Sequence, residues 1–206
     1  AAEAHDRMTS LLAKGAPLAT ICQTVAQLMQ GSVLVLDEVG QVIGRGTADG
    51  YDGTGSGHYE PHGRQSQALA KALGDSRRVG RSALAYEEGD ETCRLNAVIG
   101  GNEVIGAMLL FRREPLDDIA THTFERAASI IGIVLLSRDR ADATHNRDLA
   151  NLLRGLLSPR QDDLALLIER AERFGLDLTR PTSLLLMETH RPDASYLVRR
   201  LRTTPV

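Results

Sequence analysis

His58 and His62 stand four residues apart, with Tyr59, Glu60 and Pro61 between them. On a helix that spacing sets two imidazoles on one face, where they could share a metal ion. Pro61 and the surrounding glycines oppose a helix there, so the pair reads as solvated loop histidines. Cys22 and Cys93 are the two cysteines of the 206-residue chain, in the contexts ATICQTV and DETCRLN. They form no CxxC pair, which removes the usual zinc and dithiol arrangements. Reduced thiols in a cytoplasmic protein are the expectation. The stretch DGTGSG (52–57) has the glycines of a phosphate loop but lacks the Lys-Ser/Thr that follows one. No Ser–His–Asp set and no pair of carboxylates can be assembled. The expectation is therefore no catalytic residue, no metal site, no cofactor and no enzyme activity.

Binding chemistry is better represented. Tyr51, Tyr59 and Tyr86 can stack on a ligand or hydrogen-bond to it. Arg77, Arg78 and Arg81 form a basic knot whose guanidinium forks suit carboxylates and phosphates. Arg94 lies in a strand that puts Cys93 and Leu95 on the other face. It is an anion anchor if its face lines a pocket, and sheet surface if it does not. Tyr51, Tyr59, Arg81, Tyr86 and Arg94 are the candidate ligand-binding residues. Asp37, at a strand end beside a turn, reads as a turn cap.

The elements that must position these side chains follow from periodicity. Asp6 to Lys14 is a short amphipathic helix ended by Gly15. Leu18, Ile21, Val25, Leu28 and Met29 recur at three and four, and Gly31 stops that second helix. Ser32–Asp37 (SVLVLD) is apolar on both faces, so it belongs mid-sheet, and it pairs with Gln41–Arg45 across the turn at Gly40. Residues 46–64 are a long glycine-rich loop, a kind of segment that is commonly functional or disordered. Gln65 to Leu73 is a short helix. Ser82–Glu87, Thr92–Ile99 and Glu103–Arg112 are three further strands. One helix then runs from Asp117 towards Leu157, about 60 Å if unbroken. Its stretch Ile130–Leu136 is apolar around the whole cylinder and asks for cover on two sides. A second copy of the chain is the expected second cover, with Ile130, Ile133, Val134, Leu149 and Leu153 as the dimer face. Asp162–Phe174 is a helix, Thr182–Glu188 a strand and Asp193–Arg202 the start of another helix. Such a start cannot close a core, so the natural protein is expected to continue.

Composition bounds the partners. A net charge of −3 gives no general attraction to nucleic acid or anionic lipid. With 3% aromatic residues and no tryptophan, base stacking has little to work with. No run approaches eighteen apolar residues, so no membrane partner is expected.

The order of elements makes an α+β layer fold, an antiparallel sheet flanked by helices. At this point residues 6–140 resemble a GAF domain, on LLAKGAPLATICQTVAQLMQGSVLVLDEVGQVIGRG and on GGNEVIGAMLLFRR followed by a long helix. The rest resembles a bacterial transcriptional regulator of the PucR/CdaR type, through LANLLRGLLS and IERAERFGLDLTRPTSLLLME, where a degenerate GGDEF-like domain begins. The resemblance implies a GAF-like sensor over 1–136, a connector helix over 137–158 and a truncated α/β segment, the partial GGDEF-like domain, over 159–206. It implies a cytoplasmic homodimer, an unidentified small-molecule effector, and DNA contact only through a helix-turn-helix that this sequence lacks. A ligand-free dimerisation module is the alternative. The chain departs from the family in places. It has no GGDEF signature, no cyclic-nucleotide-binding constellation and no cysteine cluster of the sulfoxide-reductase kind.

Overall fold

A computed structural model describes residues 2–157 and 164–181. The expected strand Thr182–Glu188, the helix Asp193–Arg202 and most of the GGDEF-like segment lie outside those residues. The chain divides into two compact units, Ala1–Ala143 and Thr144–Val206.

The first unit begins with α1 (Ala2–Ala13) and α2 (Leu18–Met29), followed by β1 (Ser32–Asp37) and β2 (Val42–Thr47). The glycine-rich loop leads to α3 (Ser66–Val79), then β3 (Ala83–Glu88), β4 (Glu91–Gly100) and β5 (Glu103–Arg112). The long helix α4 covers Asp118–Leu157, and it is continuous, as its polar middle without Pro or Gly predicts. The five strands form one antiparallel sheet in the order β2-β1-β5-β4-β3. This is the α+β architecture expected.

Every residue of β1 is buried, because the sheet is covered on both faces. Val33 and Val35 join Ile21, Val25, Met108, Leu110, Phe124 and Ile131 in a core between the sheet and helices α2 and α4. Leu34 and Leu36 join Leu69, Cys93, Leu95, Leu109 and Phe111 beneath α3 and the loop. Side-chain alternation along β1 thus feeds two cores, which is why the strand reads as apolar throughout.

Close approaches fix these layers. A Cβ on Gly46 would lie 2.5 Å from the Cys22 backbone, so α2 rests directly on β2. A Cβ on Gly31 would meet the Phe111 carbonyl oxygen at 2.3 Å. Gly31 is therefore needed for space, while the left-handed residue that ends α2 is Gln30, at φ 50°. The turn after β1 is tied by Asp37, whose Oδ1 accepts the N–H of Val39 (3.1 Å) and of Gln41 (2.8 Å).

Helix α3 runs six residues beyond the expected end at Leu73. Ala72 and Ser76 are buried on its inner side. Arg77 and Arg78 consequently sit in its last turn, where their charge complements the helix dipole, and do not form a loop cluster. Strand β3 reaches β4 only as far as Ala83 opposite Leu95, so the outer half of β4 is paired with β5 alone and has no strand on its other side. There the Ser76 hydroxyl accepts the Ala97 N–H at 2.9 Å and meets Asn96 Oδ1 at 3.4 Å.

Around Ile130–Leu136 the chain's own sheet covers much of the apolar stretch. Ile130 is 7% exposed and belongs to the unit's own core, and Val134 packs against that core. The reason is Gly132, whose missing side chain lets α4 sink onto the sheet; a Cβ there would be 2.7 Å from the Ile99 carbonyl oxygen. Ile133, 51% exposed, is the large apolar side chain of this stretch left open. By length and composition α4 is also the one helix among the described residues that could cross a membrane.

In the second unit the end of α4 pairs with α5 (Leu164–Glu172). Leu152, Leu167 and Ala171 form its core, with Leu149, Leu156 and Phe174 around them. Leu149 is thus engaged within its own unit, while Leu153 is half-buried. Gly155 allows the close crossing, since a Cβ there would touch Leu167 at 2.8 Å.

Candidate functional site

The site lies where the loop between β2 and α3 folds back over the sheet. Glu91, the first residue of β4, shares its face with Cys93 and Leu95, and it is only 8% exposed. Its carboxylate organises the loop. Oε2 accepts the N–H groups of Thr54 and Gly55, both at 2.9 Å, and Oε1 accepts the Tyr51 hydroxyl. A buried carboxylate is tolerable when several donors point at it, and here three do. The glycines make the approach possible. A Cβ on Gly53 would overlap Glu91, and one on Gly55 would lie 2.6 Å from the Phe111 ring.

A second clamp lies outside the first. Arg113, just after β5, pairs with Asp52 of the loop and with Asp90 of the β3–β4 turn (2.6 Å). Its guanidinium also stands 5.7 Å from the centre of the Tyr51 ring. These ions are exposed, so their contribution is small next to that of Glu91.

Under the loop two adjoining hollows, each about 270 Å³, share Gly55, His58, Tyr86 and Glu88. One is lined further by Tyr59, Glu60, Arg64 and Leu69, the other by Asp90, Glu91, Cys93 and Phe111. Their combined size suits a small metabolite. Tyr59 donates its hydroxyl to the Gly40 carbonyl at 2.7 Å, and Tyr86 pairs across the sheet with Cys93.

Of the five candidate ligand-binding residues, Tyr59 and Tyr86 line these hollows, while Tyr51 lines neither and touches the site only through its bond to Glu91. Arg94 does not join them. It pairs across the sheet with Leu110, on the α4 side, and its Nη1 reaches Ser82 Oγ at 3.3 Å. Ser82 is held in turn by Glu125 of α4, which accepts its N–H at 2.9 Å. Arg81 is exposed and lines neither hollow. His58 lines both, whereas His62 lines neither, and among the described residues no three His, Cys, Asp or Glu side chains converge as a metal set would. Glu91 was missed in the sequence. Its one signal was a position opening a strand that otherwise alternates towards a core.

Burial pushes the thiols of Cys22 and Cys93 up to about 12, so both are unreactive at neutral pH. Burial, with the Asp37 charge next, pushes Tyr59 up to about 12. Burial first, then the bond to Glu91, raises Tyr51; burial and the Cys93 thiol raise Tyr86. All five groups hold their protons more tightly folded than unfolded. Below the ordinary thiol value of 9.0 they are neutral in both states, and stability is insensitive to them. Above it the unfolded chain loses protons first, so stability falls as pH rises from 9.0 towards about 12. Urea midpoints at about pH 8 and about pH 11 check this, and equal midpoints would refute it.

No family model matches the chain, and no curated protein matches it. Among solved structures it is similar to the cofactor-binding GAF domain of the nutrient sensor CodY from Clostridium difficile. That match has 13% identity and a TM-score of 0.44, and covers 64% of this chain and 94% of the other. It is also similar to Myxococcus xanthus MglB, with 13% identity, a TM-score of 0.41, and 58% and 95% of the two chains covered.

Proposed function

We propose that the chain is the ligand-sensing and dimerising region of a cytoplasmic bacterial transcriptional regulator of the PucR/CdaR type. Its DNA contact would come from a helix-turn-helix that this sequence does not contain. The observation that carries the reading is the use of one sheet by two parts. Strands β3 and β4 wall the hollows on one face through Tyr86, Glu91 and Cys93. On the other side α4 is met by Ser82, the residue before β3, through Glu125 and by Ile99 of β4 through Gly132. A small molecule under the loop therefore acts on strands that carry the long helix. To signal, it must bind one arrangement of that helix more tightly than another. In this reading the chain catalyses nothing, in keeping with its two buried, protonated thiols.

Native mass spectrometry beside the denatured mass tests the reading. A dimer with added mass that disappears on denaturation is expected. One observation favours the ligand-free dimerisation module instead: Gly55 rests directly on Phe111, so the loop itself already fills part of that face. That alternative predicts a dimer with no added mass and no response to metabolites. Ile133→Glu should weaken dimerisation about thirtyfold or more by burying a charge at the contact, and leave the monomer folded. Sedimentation of the variant at several concentrations reads the change. An unaltered dimer would remove Ile133 from the interface.

A further inference from the structure

We infer that the cleft under the glycine-rich loop takes a small organic cation, an alkylammonium group on a short apolar body. The inference rests on the sensing reading above and names the class of ligand.

Two tyrosine hydroxyls are already engaged, Tyr59 donating to Gly40 and Tyr51 to Glu91. What Tyr59 and Tyr86 present to the cleft is ring surface, beside Leu69 and Phe111. Ring faces attract cations, most strongly where water is excluded.

The charges agree. Glu60, Glu88, Asp90 and Glu91 line the two hollows, against one arginine, Arg64. Arg64 is paired with Glu88, and Asp90 with Arg113. Glu60 and Glu91 have no ion-pair partner among the described residues, and His58, exposed at the edge, is the other group that can carry positive charge. Glu91 is held by neutral donors and not by a cation, so a cation entering the cleft meets the open carboxylate of Glu60, the negative charge of Glu91 and aromatic rings together. A carboxylate or phosphate would meet the reverse, because Arg81 and Arg94 lie elsewhere. A metal ion is disfavoured by geometry, since no three ligating side chains converge among the described residues.

Three probes on one carbon skeleton separate these terms: isopentylammonium, isopentanol and isovalerate. Titration calorimetry of the full chain should show the ammonium binding about tenfold or more tighter than the alcohol. Isovalerate should bind most weakly. The preference should shrink with added salt and be lost in Glu60→Gln, whose exposed position leaves folding intact, and in Tyr86→Ala. The inference is overturned if isovalerate or isopentanol binds as tightly as the ammonium, if none of the three binds, or if both variants keep the preference. A co-purified acid or neutral compound in native mass spectra would overturn it while leaving the sensing reading in place. Absence of any co-purified mass together with no response to the probes would overturn both.

Discussion

Glu91→Ala is expected to destabilise the protein by about 3 kcal/mol and to free the glycine-rich loop. The carboxylate is buried and serves three donors, the Thr54 and Gly55 N–H groups and the Tyr51 hydroxyl. Alanine leaves those donors without their acceptor and leaves a void where the side chain lay. Tyr51 then loses the bond that turns its ring towards the sheet, and Arg113 loses a fixed ring to stand over. Glu91→Gln separates geometry from charge. The glutamine oxygen can still accept both backbone N–H groups, while its amide can donate to the Tyr51 oxygen, so that variant should cost about 1 kcal/mol or less. Denaturant unfolding supplies the energies, and hydrogen exchange over residues 50–57 reports the loop. Equal effects of the two substitutions, or unchanged exchange in the alanine variant, would show that the loop is held by other contacts.

Phe124→Ala should cost about 4 kcal/mol, the largest single loss predicted for the first unit. Phe124 is 0% exposed and lies among Val33, Val35, Met108 and Leu110 of the sheet and Ala127, Ala128 and Ile131 of its own helix. It sits in the first turns of α4, one residue before the Glu125 that caps Ser82. Its loss therefore loosens the helix where strand β3 is attached to it. Hydrogen exchange over 119–131 should rise more than exchange over the loop. A loss below about 1 kcal/mol would mean that the site collapses around the smaller side chain, as malleable cores do.

Much of the fold could be read from residue patterns because burial writes a period into the chain. The two periods of three and four in Leu18–Met29 marked a helix on the sheet. The unbroken apolar run Val33–Leu36 marked a strand covered on both faces, and the structure places it beside the central β5. What escaped was of two kinds. Helix α3 was cut short because Ser76, a polar residue, holds an inner position there, and an apolar pattern cannot show a hydroxyl buried for its hydrogen bonds. The cover over the apolar girdle at Ile130–Leu136 was not legible, because periodicity does not show how deeply a helix sinks onto its sheet. Gly132 lets the helix settle deeply enough that its own sheet covers most of the girdle. The site was half legible. Tyr59 and Tyr86 line the cleft, but strand parity alone did not settle the side of Arg94. Glu91 left only its place at the start of an alternating strand, since its importance comes from three donors brought in by a loop.

The Ser76 hydroxyl has a further consequence, for solubility. Strand β4 has ten residues and β3 six, so the far half of β4, paired with β5 on one side, has an open edge on the β3 side. Such margins recruit strands from other molecules and seed aggregates. By taking the Ala97 N–H, Ser76 removes a donor that an incoming strand would use first, and α3 stands across the approach. One serine on a helix thus keeps a sheet that is shared by cleft and helix from being extended by a stranger.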